Sequence, residues 1–298
     1  RGRQVANPEA DQEQGGRIIP LRLRRVVSDR LWTGFTVVAL GLAIVPLISI
    51  ILDIVVKGIS VINLDFFTQL PPLADAPGGG MGNAIQGTLL LVALSCVIGL
   101  PIGLFSGVYV SEYGATNRYG STVRFLGDVL AGIPSIVTGV LAYTLIVLTF
   151  KGFSLLAGGI ALGTMMIPIV SNTTAEALKS VPNSIREASM ALGIRKWRTS
   201  LLIMANAKKA IATASLLAIA RITGETAPLI LTAGISTLWF SGFNQPVASL
   251  TYYIYYFANS GYQNWQNMAW GAALFLIVIV LGINAAVRLI TRGKRAYA

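Results

Sequence analysis

The stretch "AIQGTLLLVALSCVIGLPIGLFSGVYV" (Ala84–Val110) runs for 27 residues without a charged side chain. As an α-helix at about 1.5 Å per residue it exceeds the roughly 30 Å thickness of a membrane hydrocarbon core. It therefore predicts a spanning helix. Comparable runs lie at Leu31 to Val55, Phe125 to Phe150, Phe153 to Val170, Ala210 to Ala233 and Trp270 to Ile290. Together they predict an all-α membrane protein with six spans. The first lacks a small-residue cleavage site and is expected to be retained. Composition agrees, since 54% of the 298 residues are hydrophobic and 12% charged, against roughly a quarter charged in soluble domains.

A net charge of +11 could suggest nucleic acid, but the distribution of the 23 Lys and Arg residues argues against it. Seven lie in 1–31, two in 111–124, seven in 171–209 and four in 288–298, whereas 226–287 carry no charge at all. Basic residues concentrate in cytoplasmic loops. Both termini and the second and fourth loops are thus expected on the cytoplasmic side, with no nucleic acid as partner. The aromatic, uncharged loop 234–270 would lie at the opposite membrane boundary.

The same sequence excludes several chemistries. It has no histidine and one cysteine, Cys96, so a metal centre and an internal disulfide are not expected. No G-x-x-x-x-G-K-[ST] phosphate loop occurs, so ATP has no usual site on this chain. Residues 1–30 form a tail expected to be largely disordered, 31–292 the membrane domain, and 293–298 a short second tail. Gly99, Pro101, Gly103, Pro134, Gly158, Gly159, Gly163 and Pro228 fall within spans, where small residues allow close helix approach and prolines kink the axis.

The largest basic loop reads "SNTTAEALKSVPNSIREASMALGIRKWRTSLLIMANAKK" (171–209). Its turn signals predict two short helices, Thr173 to Ser180 with Glu176 in the first turn, and Ser184 to Leu192. Pro182 separates them and Gly193 stops the second. Such a pair suits either a soluble partner or a lipid surface. Here "EASMALG" (187–193) resembles the EAA motif of ABC importer permeases, through Glu187, Ala188, Ser189 and Gly193. "GTLLLVALSCVIGLPIGLFSGVYVSEYG", "LAGIPSIVTGVLAY" and "LAIARITGETAPLILT" are similar to segments of the phosphate-specific members of that family. Two proline-containing pairs of the family pattern are replaced by Ala205–Asn206 and Lys208–Lys209.

The resemblance implies the type I ABC importer permease fold, with residues about 172–200 as the loop that couples to an ATPase. It also implies a transport subunit rather than an enzyme, seated in the bacterial cytoplasmic membrane among lipid. Its partners would be a homologous PstC-type permease, an ATPase dimer holding ATP and Mg, and an external phosphate-binding protein. No cofactor is expected on this chain.

Within "SLLAIARITGETAPLIL" (215–231), Arg221 and Glu225 interrupt an apolar run. A charge at mid-membrane costs about 2.5–3.5 kcal/mol on insertion scales, so such residues face protein or water and mark pathways. Four residues apart on a continuous helix they would stack and pair. A guanidinium fork matches phosphate oxygens, and Thr223 and Thr226 could add hydroxyl donors. The resemblance places this Arg and Glu on the anion path. The alternatives from the residues alone are a structural ion pair, or a self-contained secondary anion transporter or channel in which Glu225 couples protons.

Overall fold

The computed structural model describes residues 18–114 and 117–291. The expected tails 1–30 and 293–298 lie largely or wholly outside them. By packing, the chain divides into residues 1–53 and 54–298. The first unit contributes most of α1 (Ile18–Ile59), whose described apolar side chains from Leu31 to Leu52 are exposed, Leu42 at 72%. A lipid-facing span has no need of protein cover.

The second unit is built around α3 (Gly82–Val108) and α7 (Leu155–Lys179), which pack along most of their lengths. The glycines at 99, 103 and 107 allow this approach. A Cβ at Gly103 would sit 2.7 Å from Cβ of Val170, and one at Gly107 2.6 Å from the carbonyl of Ser171. Lipid tails are as apolar as the side chains, so close contact rather than water exclusion holds such helices together.

The third apolar run is not one straight helix. It consists of α4 (Arg118–Gly132), α5 (Ser135–Ala142), a π-helical turn at Tyr143–Val147 and α6 (Leu148–Phe150). The two arms meet at a bend of 103°. Pro134 removes an amide donor and forces Ile133 into extended geometry (φ −73°, ψ 129°), as proline does to the residue before it. Among the described residues the candidate spans thus number five long helices, or six with the bent pair.

The expected helix at Thr173 to Ser180 is the last part of α7. Thr173 does not cap a new helix, because its hydroxyl donates to Ile169 O at 2.6 Å within α7. The helix runs on to Lys179, just ahead of Pro182. The second expected helix is present as α8 (Asn183–Ala191). Next, α9 (Lys196–Thr223) passes unbroken through Ala205–Asn206 and Lys208–Lys209, where no proline interrupts it. The fifth expected span is therefore α9 plus the short α10 (Ala227–Thr232), separated by a break.

At the opposite end lie α2 (Leu64–Thr68) and α11 (Leu250–Ala258), followed by α12 (Gln263–Thr291). Phe66, Met81, Tyr253, Phe257 and Met268 form the core there. The Tyr253 hydroxyl donates to Ser236 O at 2.6 Å and accepts from Asn83 Nδ2 at 3.0 Å. Burial pushes this phenol up to about 12, although the Asn83 bond acts in the opposite sense.

Candidate functional site: a helix break and a coupling helix

The break between α9 and α10 positions the charges singled out in the sequence. Gly224 ends α9, its amide donating to Arg221 O at 3.2 Å. Arg221 occupies the last helical turn and is exposed, where the helix dipole favours a cation. Glu225 lies beyond the helix end, half-buried, and its carbonyl accepts from Thr251 Oγ1 of α11 at 3.0 Å. The expected stacking of Arg221 and Glu225 on one helical face is not realised, because helical geometry stops at Thr223. Among the described residues the two side chains form no ion pair with each other.

The threonines differ. Thr223 is buried, and its hydroxyl donates to Ile219 O at 2.7 Å, so that proton is committed to its own helix. Thr226 precedes α10 and makes no capping bond through its side chain. It is half-buried. The break also adjoins the bent third run, for a Cβ on Gly139 of α5 would lie 2.8 Å from Cα of Pro228. Two interrupted helices therefore meet within the bundle. On α4, ahead of the bend, Asp128 accepts from Asn172 Nδ2 of α7 at 3.4 Å.

The EAA-like residues occupy α8 and its exit. Glu187 and Ala188 are exposed, whereas Ser189 is buried and donates to Ile185 O at 2.8 Å. Gly193 adopts φ +71°, the left-handed conformation that glycine tolerates. The amide of Ile194 then closes onto Ser189 O at 3.1 Å, a helix-ending pattern suited to a C-terminal glycine. Met190 at 65% and Leu192 at 78% leave an apolar surface beside these residues. Glu176 is separate, exposed on α7.

The sequence gives no local sign of one contact here. Arg186 of α8 meets Glu112, which sits in a π-helical turn (Tyr109–Tyr113) at the end of α3. Nη2 donates to Oε1 at 2.8 Å and Nε to Oε2 at 3.3 Å. The bond with Glu112 holds the guanidinium above its ordinary range. In sequence, Glu112 looks like an ordinary membrane-boundary charge. Only its place one turn past a glycine-rich span could have marked it.

Residues 99–296 match the family described as binding-protein-dependent transport system inner membrane component. The chain belongs to that family, among the PstA-type permeases. It is 42% identical over 250 residues to the phosphate transport system permease protein PstA of Yersinia pestis, covering 84% of this chain and 85% of the relative. With the PstA of Haemophilus influenzae the identity is 38%, over 91% and 96% of the two chains. A permease chain from the crystal structure of a bacterial alginate ABC transporter superposes with a TM-score of 0.62 at 18% identity, covering 91% of this chain. That likeness bears on the fold, which is the type I ABC importer permease fold. Membership makes the chain a multi-pass transport subunit, not an enzyme, working with membrane permease partners and ATPase subunits.

Proposed function

We propose that this permease carries inorganic phosphate inward across the bacterial cytoplasmic membrane, paired with a homologous PstC-type permease. The identity to PstA permeases over more than four-fifths of the chain carries this reading. A dimeric ATPase on the cytoplasmic side binds ATP and Mg, and an external binding protein delivers phosphate. The basic residues around α8 favour the cytoplasmic side for that end, and those in 1–31 and 288–298 favour it for both termini.

Arg221 offers its guanidinium to phosphate oxygens at the break, where an exposed cation needs no local acid to be relieved. Glu225 stands just past it and keeps the anion from binding too tightly, and Thr226 supplies a hydroxyl. Thr223 holds the last turn of α9 in place. On the cytoplasmic side, the surface of Glu187, Ala188, Met190, Leu192 and Gly193 docks on the ATPase, with Ser189 bracing it from beneath. Glu176, exposed on α7, offers the ATPase a separate point of contact.

Gentle extraction of a tagged chain from membranes tests the assignment. A second permease and an ATPase should co-purify, and ATP hydrolysis should rise with phosphate-loaded binding protein but not with sulfate- or molybdate-loaded protein. A chain that extracts alone, or hydrolysis insensitive to phosphate, would contradict it.

A further inference from the structure

All five N–H donors of Arg186 are engaged. Besides the two bonds to Glu112, Nη2 donates to Leu178 O at 2.9 Å, and Nη1 donates to Val181 O at 2.9 Å and Asn183 Oδ1 at 3.1 Å. One side chain thereby joins α8 to the end of α3 and to the end of α7. The acid is well held in turn: Ser111 donates to Glu112 Oε1 at 3.2 Å, and the Glu112 side chain is only 7% exposed. Tyr109 and Tyr113 stack across the same π-turn at 6.3 Å, and Asn117 Nδ2 donates to Tyr113 O at 3.1 Å. A planar fork with every donor fixed resists rotation in a way that a single point charge does not.

The pair borders a cavity of about 280 Å³, whose lining also includes Met190 and Ile194 and, from the start of α9, Lys196 and Ser200. The start of α9 meets the same π-turn, for Ser200 Oγ donates to the Tyr113 hydroxyl at 3.3 Å and Lys196 Nζ lies 4.9 Å from the Tyr113 ring centroid. Ile185 of α8 packs against the cluster of Leu178, Val181, Ile203 and Ala207. Hydrophobic contact thus joins α8 to α7 and α9, while the charged bond is made to the end of α3.

We infer that Arg186 and Glu112 are a positioning pair that fixes α8 to the ends of α3 and α7, so that displacement of α8 is passed to those helices through this bond. This rests on the reading of α8 as the ATPase contact. Because α3 and α7 interlock through glycines, they move as one body. Both α4 and α10 pack on α7, which links that body to the bend and the break.

The test uses the whole transporter in proteoliposomes, with phosphate uptake and ATP hydrolysis measured on the same preparation. Glu112→Gln and Arg186→Lys should each lower phosphate carried per ATP by about tenfold, the scale of losing a charge-assisted hydrogen bond. Assembly and hydrolysis should persist. A proportional fall of uptake, hydrolysis and assembled complex would reduce the pair to a fold-stabilising contact and overturn the inference, as would unchanged coupling.

A second arm starts from a Cys96→Ser parent and adds Glu112→Cys with Arg186→Cys. Bridging the two thiols with a bifunctional thiosulfonate should restore most of the parent's uptake. If bridging abolishes uptake, or leaves it at the unbridged level, the two positions do not travel together and the inference fails. A parent complex that never couples hydrolysis to uptake would instead sink the functional reading, and the strut with it.

Discussion

Arg221 and Glu225 stand on opposite sides of a helix end, the first in the last turn of α9 and the second beyond Gly224. They are four residues apart, yet they do not share a helical face. Arg221 is therefore exposed without an ion pair to this neighbour. Arg221→Gln should lower phosphate uptake roughly ten- to hundredfold, since a hydrogen bond to a charged group contributes about 1.5–3 kcal/mol. Complex assembly should be unaffected. Glu225→Gln should leave thermal stability within about 0.5 kcal/mol, as expected where no specific contact is removed, while altering uptake. A large stability loss would show a structural ion pair. Detergent-melt and uptake assays on the two variants separate these outcomes.

Gly139 and Pro228 hold the bent third run against α10. A Cβ at Gly139 would meet Pro228 Cα at 2.8 Å, an atom of the backbone that cannot rotate away. Gly139→Val should force α5 and α10 apart at a cost of about 1–3 kcal/mol, the range for overpacking. Uptake should fall further than the amount of assembled complex, because the break carrying Arg221 is displaced. Gly132→Ala, where no atom lies within 4 Å of a built Cβ, is the control expected to transport normally.

Tyr253 gives a pH signature at the other end of the molecule. Its folded-state value of about 12 lies above the ordinary 10, so the unfolded chain ionises first. The associated stability is present below pH 10 and is lost as pH rises toward 12. Tyr253→Phe should lower stability near neutral pH by about 1–2 kcal/mol through the lost bond to Ser236 O. It should also flatten the alkaline decline between pH 9 and 11 relative to the parent, read by melting in detergent. An unchanged slope would show that Tyr253 is not the group responsible.

The spans, the basic loop and the charged pair were legible in the sequence because each is a local signal. Apolar runs give length, and Pro182 and Gly193 bound α8. Local signals failed where the outcome depended on what the chain met in three dimensions. Pro134 was visible as a kink, but its 103° bend was not. The four-residue spacing of Arg221 and Glu225 implied one continuous helix, whereas the helix ends at Gly224 and so separates them. Thr173 looked like a cap yet bonds within a helix already under way. Glu112 and Arg186 are 74 residues apart, and neither has a local pattern that announces the other.

Phosphate uptake should be measured in proteoliposomes containing this chain, first alone and then with its permease partner, ATPase and external binding protein. The account predicts no uptake by the chain alone, and uptake by the full assembly that requires ATP on the ATPase side and survives collapse of the proton gradient. Uptake by the chain alone, driven by a proton gradient and lost in Glu225→Gln, would contradict it.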